Sequence, residues 1–208
     1  FDPSLIGDPS QIAAFVIETY QGWGACMYPK GYLEDLQDFA RKNNCLICFD
    51  EVQAGFYRMG SLYGYQTYGD TLQPDLVCLG KGITSSLPLS AVLGRREIID
   101  IDPEANVSST HSGNALSCAA ALSNIKFLTS SKFQKKFSKT VSEFESRCNK
   151  LNDYEIVDKI YYRGMVAGII LENTEQAEKV VDLCIENGVL PVRTSRESIK
   201  LGPPLTIT

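Results

Sequence analysis

The sequence predicts an α/β fold: a mainly parallel β-sheet with helices on both faces, followed by a small α+β domain at the C-terminal end. Two observations lead to this prediction. In the first part of the chain, short apolar runs without helical spacing alternate with amphipathic segments, as strands and crossover helices do around parallel sheets. A polar break at residues 129–131 then precedes a charged amphipathic segment. We therefore expect one domain over residues 1–130 and a second over residues 131–208.

Three apolar runs in the first domain are typical of buried strands, and each ends at a charged or glycine-flanked polar residue. Residues 12–18 end at Glu18, residues 45–50 end at Asp50, and residues 76–79 are followed by Gly80-Lys81. Ligands of open α/β sheets bind at the carboxyl ends of the strands. We therefore expect Asp50 and Lys81 at the ends of two neighbouring strands, with Glu18 at the same edge.

The remaining elements follow from hydrophobic spacing and from helix start and stop signals. Residues 89–93 continue the strand pattern of the first domain, and residues 154–160, 165–171 and 198–201 predict strands in the second. Helices are predicted over residues 31–43, 114–128, 132–151 and 174–187.

Composition excludes several classes of function. The chain has 208 residues and a net charge of −5, and its Lys and Arg residues are spread along it, so it offers no basic surface for nucleic acid. It contains no run of about 18 apolar residues and no charged-then-apolar leader, so we expect neither a membrane span nor a signal peptide. The expected location is the cytoplasm.

The seven cysteines are an odd number and lie mostly in apolar segments, which indicates free thiols in a reducing compartment. Cys45 and Cys48 match a C-x-x-C spacing. They lie in a predicted strand, however, where residues three apart point to opposite faces. We predict core thiols here and no metal site.

An amine and a carboxylate at neighbouring strand ends are the two groups that a pyridoxal-phosphate site requires. The amine binds the cofactor aldehyde, and the carboxylate keeps the ring nitrogen protonated. Lys81 and Asp50 are of the right types. Taken alone, however, such residues are more often a surface turn and a strand-end cap.

Four segments in order change this assessment: FDEVQAGFYRMG, PDLVCLGKGI, PLSAVLG and SSTHSGNALSCAAAL. Together they resemble the class III pyridoxal-phosphate enzymes of fold type I, the group similar to ornithine and 4-aminobutyrate aminotransferases. IETYQG, RGMVAGIIL and IKLGPPLTIT extend the resemblance from about residue 12 to the last residue. It implies a partial fold type I structure and pyridoxal 5'-phosphate as cofactor. It also implies transfer of an amino group from an amino acid or ω-amine donor to a keto acid acceptor, in a homodimer with shared active sites.

The resemblance also implies residue roles. Lys81 would bind the cofactor covalently and move a proton, and Asp50 would bind the pyridine nitrogen. Val52 would pack against one ring face, and Gln53 would donate a hydrogen bond to the phenolic oxygen. Thr110 would reach the phosphate bound in the neighbouring subunit, although a hydroxyl near a helix start is also a common cap.

Glu18 and Lys200 are the implied substrate-binding residues. Many family members carry an arginine at the position of Lys200, and lysine keeps the charge but lacks the bidentate fork. Either Arg193 or Arg196 compensates, or the substrate carboxylate is held differently or is absent. For Trp23, in the loop after Glu18, both a packing role and a pocket-lining role stay open.

Two other functions remain alternatives. One is another class III reaction that uses the same lysine and aspartate, such as that of an aminomutase, a racemase or dialkylglycine decarboxylase. The other is a shortened, non-catalytic homologue that serves as a binding or oligomerisation module. Because nothing before Phe1 corresponds to the family's N-terminal half, we expect this chain alone to be incomplete as an enzyme.

Overall fold

The computed structural model describes residues 1–100, 104, 109–194 and 196–207. Ser108, the first residue of the SSTHSGN segment, lies outside the described residues. The strands are β1 Ala14–Glu18, β2 Tyr20–Gln21, β3 Cys26–Met27, β4 Leu46–Asp50, β5 Leu76–Leu79, β6 Ala91–Gly94, β7 Val157–Arg163, β8 Val166–Leu171, β9 Val192–Arg193 and β10 Ser198–Leu201. The α-helices are α1 Tyr32–Lys42, α2 Arg96–Ile99, α3 Ala115–Leu128, α4 Ser131–Asn149 and α5 Thr174–Glu186.

The larger sheet has four strands in the order β1-β4-β5-β6. β4 runs parallel to both β1 and β5, which confirms the predicted mainly parallel sheet. β6 covers most of the predicted strand at residues 89–93 but runs antiparallel to β5. The connection through residues 80–90 is too short for the helical crossover that a parallel return requires, so the chain turns back directly.

Helix α1 covers one face of this sheet. Its buried Leu33, Leu36 and Ala40 form a cluster with Ile47 and Phe49 of β4. Acidic residues in its first turn and basic residues in its last turn match the helix dipole. On the opposite face, Val16 and Val92 are 69% and 55% exposed.

The second sheet is antiparallel throughout, in the order β7-β8-β10-β9. Helix α5 packs against it, with Ala177 and Val181 buried among Leu171 and Ile199. This is the α+β arrangement expected of the C-terminal part. A further buried cluster, which includes Phe56, Leu79, Ala121, Phe133 and Met165, joins this part to the larger sheet through α3 and α4.

The two shortest pairings have no counterpart in the sequence prediction. β2 and β3 form a hairpin that pairs Tyr20 with Met27 and Gln21 with Cys26, and β9 adds two residues to the edge of the second sheet. Two-residue strands are too short to show an alternating pattern. Among the described residues, no helix has the length and apolar character needed to cross a membrane.

Candidate functional site

The carboxyl ends of the parallel strands bring the predicted polar residues together. Glu18 of β1 lies beside Asp50 of β4, and Asp50 lies beside Cys78 of β5. Lys81 begins a 3-10 turn directly after β5. Its backbone φ is 38°, in the left-handed region that non-glycine residues seldom adopt. Such backbone strain is concentrated at functional sites.

Lys81 and Gln53 are in direct contact. The Lys81 ammonium donates a hydrogen bond to Gln53 Oε1 at 3.1 Å. Gly22 permits this arrangement, since a Cβ at that position would lie 2.5 Å from Gln53 Oε1 and 3.2 Å from Glu18 Oε2. The Gly22 amide in turn donates to Glu18 Oε2 at 3.0 Å. A single glycine therefore lies between Glu18 and Gln53.

Asp50 and Val52 are fixed by the turn that follows β4. The Val52 amide donates to Asp50 Oδ1 at 2.9 Å, so Oδ1 has a backbone partner and Oδ2 is the oxygen left to face a ligand. The Val52 side chain packs closely on Gly80, where an added Cβ would lie 3.2 Å from Val52 Cγ1. The turn thus presents a carboxylate and an apolar surface side by side.

Sequence reasoning missed Glu51, which is fully buried directly after Asp50. Its carboxylate accepts hydrogen bonds from Thr19 Oγ1 at 2.7 Å, Gly64 N at 2.5 Å and Tyr65 N at 2.9 Å. Burial raises the pKa of Glu51, and these hydrogen bonds act against that rise. The Asp-Glu doublet was the available signal, because the side chains of successive residues at a strand end point in opposite directions.

A cavity of about 590 Å³ lies beside Lys81, and its charged lining residues are all cations: Arg58, Lys81 and Lys200. Lys200 Nζ donates to the Gly22 carbonyl at 3.1 Å. Burial lowers the pKa of Lys200, with Lys81 and Arg58 acting in the same direction and Glu18 against them.

Arg58 is the second residue that sequence reasoning missed. Its Nη1 donates to the carbonyls of Met165 and Pro203, each at 2.7 Å, which ties the turn after β4 to the C-terminal part. Burial lowers the pKa of Arg58. The signal was an arginine in the otherwise apolar and glycine-rich run AGFYRMG.

Thr110 is exposed and does not line a described cavity with Lys81. Its neighbours Ser109 and His111 do line one, of about 610 Å³, together with Lys81 and Val52. The cap of the following helix is Asn114, whose Oδ1 accepts from Ser117 N at 3.1 Å. The alternative that Thr110 caps this helix is therefore wrong.

The two arginines considered as substitutes at the substrate site lie in different places. Arg193 pairs with Glu178 of α5. Arg196 instead lines a cavity of about 570 Å³ with Glu18, Asp50 and Trp23. Across the part of the chain that the structure describes, no three His, Cys, Asp or Glu side chains are grouped as metal ligands would be.

Comparison with known proteins gives the same family throughout. The family model described as Aminotransferase class-III matches residues 6–208. The acetylornithine aminotransferase of Methanothermobacter thermautotrophicus is 34% identical over 97% of this chain and 51% of its own length. The 4-aminobutyrate aminotransferase of Mycobacterium leprae is 35% identical over 95% of this chain and 46% of its own length.

Solved structures agree with these relatives. The acetylornithine aminotransferase from Elizabethkingia anophelis superposes with a TM-score of 0.85 at 31% identity, over 97% of this chain and 54% of that one. This chain spans about half the length of the curated relatives it matches. With the family match running over nearly all its residues and the fold shared as well, the chain belongs to the aminotransferase class-III family.

Proposed function

We propose that this chain serves pyridoxal-phosphate-dependent transamination, the transfer of an amino group from an amino acid or ω-amine donor to a keto acid acceptor. The observation that carries the proposal is the contact of Lys81 with Gln53. Lys81 follows β5, and Gln53 follows Asp50 at the end of the neighbouring strand β4. The names of the related acetylornithine and 4-aminobutyrate aminotransferases support it.

The residues at the strand ends fit the cofactor. When bound, pyridoxal 5'-phosphate supplies an aldehyde that links to amines and a ring that accepts electrons from the substrate. Lys81 would hold the aldehyde carbon and transfer a proton, and Asp50 Oδ2 would keep a proton on the ring nitrogen. Val52 would cover one ring face. Because Gln53 Oε1 already accepts from Lys81, its Nε2 is the group that would donate to the phenolic oxygen.

Three further assignments belong to the proposal. Glu18 and Lys200, on either side of Gly22, would contact the substrate. Thr110, exposed on a turn, would reach the phosphate held by a second copy of the chain in a homodimer with shared sites. We also propose the division into domains at residues 1–130 and 131–208, with the polar residues between α3 and α4 as the boundary.

The cytoplasm is the proposed location. All seven cysteines are free, including Cys48 and Cys78, whose sulfurs lie 3.6 Å apart. Outside a reducing compartment, two thiols at this distance would be prone to oxidation.

The proposal is tested by adding pyridoxal phosphate, reducing with borohydride and mapping the labelled peptide. We expect the label on Lys81, and we expect Lys81→Ala to lose it while Lys179→Ala, an exposed lysine of α5, keeps it. A label on Lys200 or elsewhere would contradict the site. Amino-group transfer that depends on a keto acid, measured as formation of the new amino acid, then separates transamination from the other reactions of the family and from a non-catalytic module.

A further inference from the structure

Lys81 lies in a turn over residues 80–85 (the lysine turn) that has an unusual backbone conformation near each end. Lys81 has a φ of 38° and Ser85 has a φ of 62°, both in the left-handed region. Residues other than glycine stay in that region only where the surrounding structure holds them there. The lysine turn therefore needs contacts from outside itself to keep this conformation.

The residues next to Lys81 provide little anchorage. Gly80 and Gly82, on either side of it, have no side chain, and glycine has the greatest backbone freedom of any residue. Within the turn, the Ile83 amide donates to the Gly80 carbonyl at 2.9 Å and the Ser85 amide donates to the Lys81 carbonyl at 3.3 Å. These bonds leave the carbonyls of Gly82 and Ile83 for partners outside the turn.

Asn124 of α3 is that partner. Its Nδ2 donates to the Gly82 carbonyl at 2.7 Å and to the Ile83 carbonyl at 3.2 Å. Its Oδ1 accepts from Ser85 Oγ at 3.2 Å, which directs the other end of the amide toward the two carbonyls. A single side chain therefore bonds to three residues of the lysine turn.

Hydrogen bonds from Asn124 differ in kind from the other contacts of α3 with this region. Asn124 is partly buried and lines the cavity of Lys81. Helix α3 also packs here through Ala121 and Leu128, which lie in the same buried cluster as Ile83. Apolar packing is non-directional, whereas a hydrogen bond depends on the orientation of the carbonyl that accepts it. Asn124 therefore fixes the backbone conformation of the turn in a way that apolar packing does not.

The backbone of the lysine turn directs the Lys81 amine. Lys81 Nζ lies 3.1 Å from Gln53 Oε1, beyond the end of the neighbouring strand β4. Because the side chain leaves the backbone at Cα, a relaxation of φ toward ordinary negative values would turn its first bond away from this position. Holding the turn therefore holds the amine at the strand ends.

We propose that Asn124 is a positioning residue for Lys81. Through the carbonyls of Gly82 and Ile83, it keeps the lysine turn in the conformation that brings the amine to the strand ends. This inference rests on the proposed function, in which Lys81 links to pyridoxal phosphate. Asn124 acts through Lys81 and has no role in the chemistry itself.

The first test measures the lysine turn in the protein without cofactor. Hydrogen–deuterium exchange, followed by mass spectrometry, reports on the backbone amides of residues 80–87. We expect Asn124→Leu, which cannot donate to a carbonyl, to speed their exchange by about three- to tenfold. Asn187→Leu is the matched control, because Asn187 Nδ2 also donates to a backbone carbonyl, that of Leu183 in α5. It should leave exchange of residues 80–87 unchanged.

Asn124→Asp separates the two ends of the side chain. An aspartate can still accept from Ser85 Oγ but has no N–H for the two carbonyls. We expect it to speed exchange of residues 80–87 at least as much as Asn124→Leu. Exchange at the wild-type rate in Asn124→Asp would contradict a role for the Nδ2 donor.

The second test follows the Lys81 amine. Each protein is exposed briefly to pyridoxal phosphate and reduced with borohydride, and the label on Lys81 is compared with that on the exposed Lys179. We expect Asn124→Leu to lower this ratio by roughly three- to tenfold and Asn187→Leu to keep the wild-type ratio. A general loss of stability exposes both lysines alike and would not lower the ratio. Urea unfolding checks that the variants are folded.

Three results would overturn the inference: unchanged exchange in Asn124→Leu, faster exchange with an unchanged labelling ratio, or equal effects in Asn187→Leu. Absence of label on Lys81 in wild type would instead refute the proposed function. The exchange measurement, made without cofactor, would still decide whether Asn124 holds the lysine turn.

Discussion

Lys81 and Gln53 meet across two neighbouring strand ends, with Lys81 Nζ 3.1 Å from Gln53 Oε1. The two residues are far apart in the chain, and their contact depends on the parallel register of β4 and β5. A side-chain amide that orients the amine also restrains where the amine can reach. The pair therefore links the fold of the sheet to the geometry of the proposed chemistry.

Replacing Gln53 tests this link. We expect Gln53→Leu to weaken pyridoxal-phosphate binding by roughly three- to tenfold, because the variant lacks the proposed hydrogen-bond donor to the phenolic oxygen, a bond of ~1 kcal/mol. Equilibrium titration followed by the visible absorbance of the bound cofactor measures the change. Gln11→Leu, at an exposed position, is the control. Unchanged affinity in Gln53→Leu would refute the role of Gln53.

Gly22→Ala should displace Gln53 without unfolding the protein. The new Cβ would lie 2.5 Å from Gln53 Oε1, which is the end of a flexible side chain and can move. We expect weaker cofactor binding, because the displaced Gln53 no longer presents Nε2 to the phenolic oxygen as proposed. We expect a change in unfolding free energy below ~1 kcal/mol. Gly7→Ala, where no atom lies within 4 Å of the new Cβ, is the matched control. Strong destabilisation with normal cofactor binding would contradict this account.

The strand ends could be predicted because the signal is local. Asp50 follows an apolar run and Lys81 follows another, so their placement needs only the rule that carboxyl ends of parallel strands share an edge. The antiparallel direction of β6 was harder to predict, since it depends on the length of the connection rather than on the composition of the strand.

The environment of Glu51 could not be predicted, because its three donors come from Thr19, Gly64 and Tyr65, which are distant in sequence. The choice between Arg193 and Arg196 was open for a similar reason. The two residues are three positions apart in the chain. Only the fold shows that Arg193 pairs with Glu178, whereas Arg196 lies over Trp23.

Glu51→Gln should destabilise the protein by about 2 kcal/mol. The carboxylate accepts donors on both oxygens, Thr19 and Tyr65 on Oε1 and Gly64 on Oε2, so an amide nitrogen in either position would face a donor. Removing the buried charge offsets part of this loss, but the donor-to-donor contact remains. Urea unfolding measures the change.

Glu143→Gln, in an exposed ion pair of α4, should change stability by less than ~0.5 kcal/mol and serves as the control for Glu51→Gln. Equal stability of wild type and Glu51→Gln would show that the three donors do not hold the carboxylate as described.

Lys200 should make stability depend on pH above neutrality. Burial lowers its pKa in the folded chain, and Lys81 and Arg58 lower it further, while the unfolded chain has the ordinary value of 10.5. The folded state then binds fewer protons than the unfolded state between those two values, so stability rises with pH across this interval. Above pH 10.5 the stability gained from the neutral Lys200 amine is fully present. It is lost as pH falls through the folded-state pKa of Lys200.

We therefore expect wild type to gain stability relative to Lys200→Gln as pH rises from neutrality toward 10.5, because the variant has no amine to neutralise. Urea unfolding of both proteins at several pH values measures the difference. Lys139→Gln, on an exposed position of α4, controls for the general effect of removing one positive charge and should show no comparable slope. If the curves for wild type and Lys200→Gln stay parallel, Lys200 is not held in the folded chain as a partly desolvated amine beside Lys81.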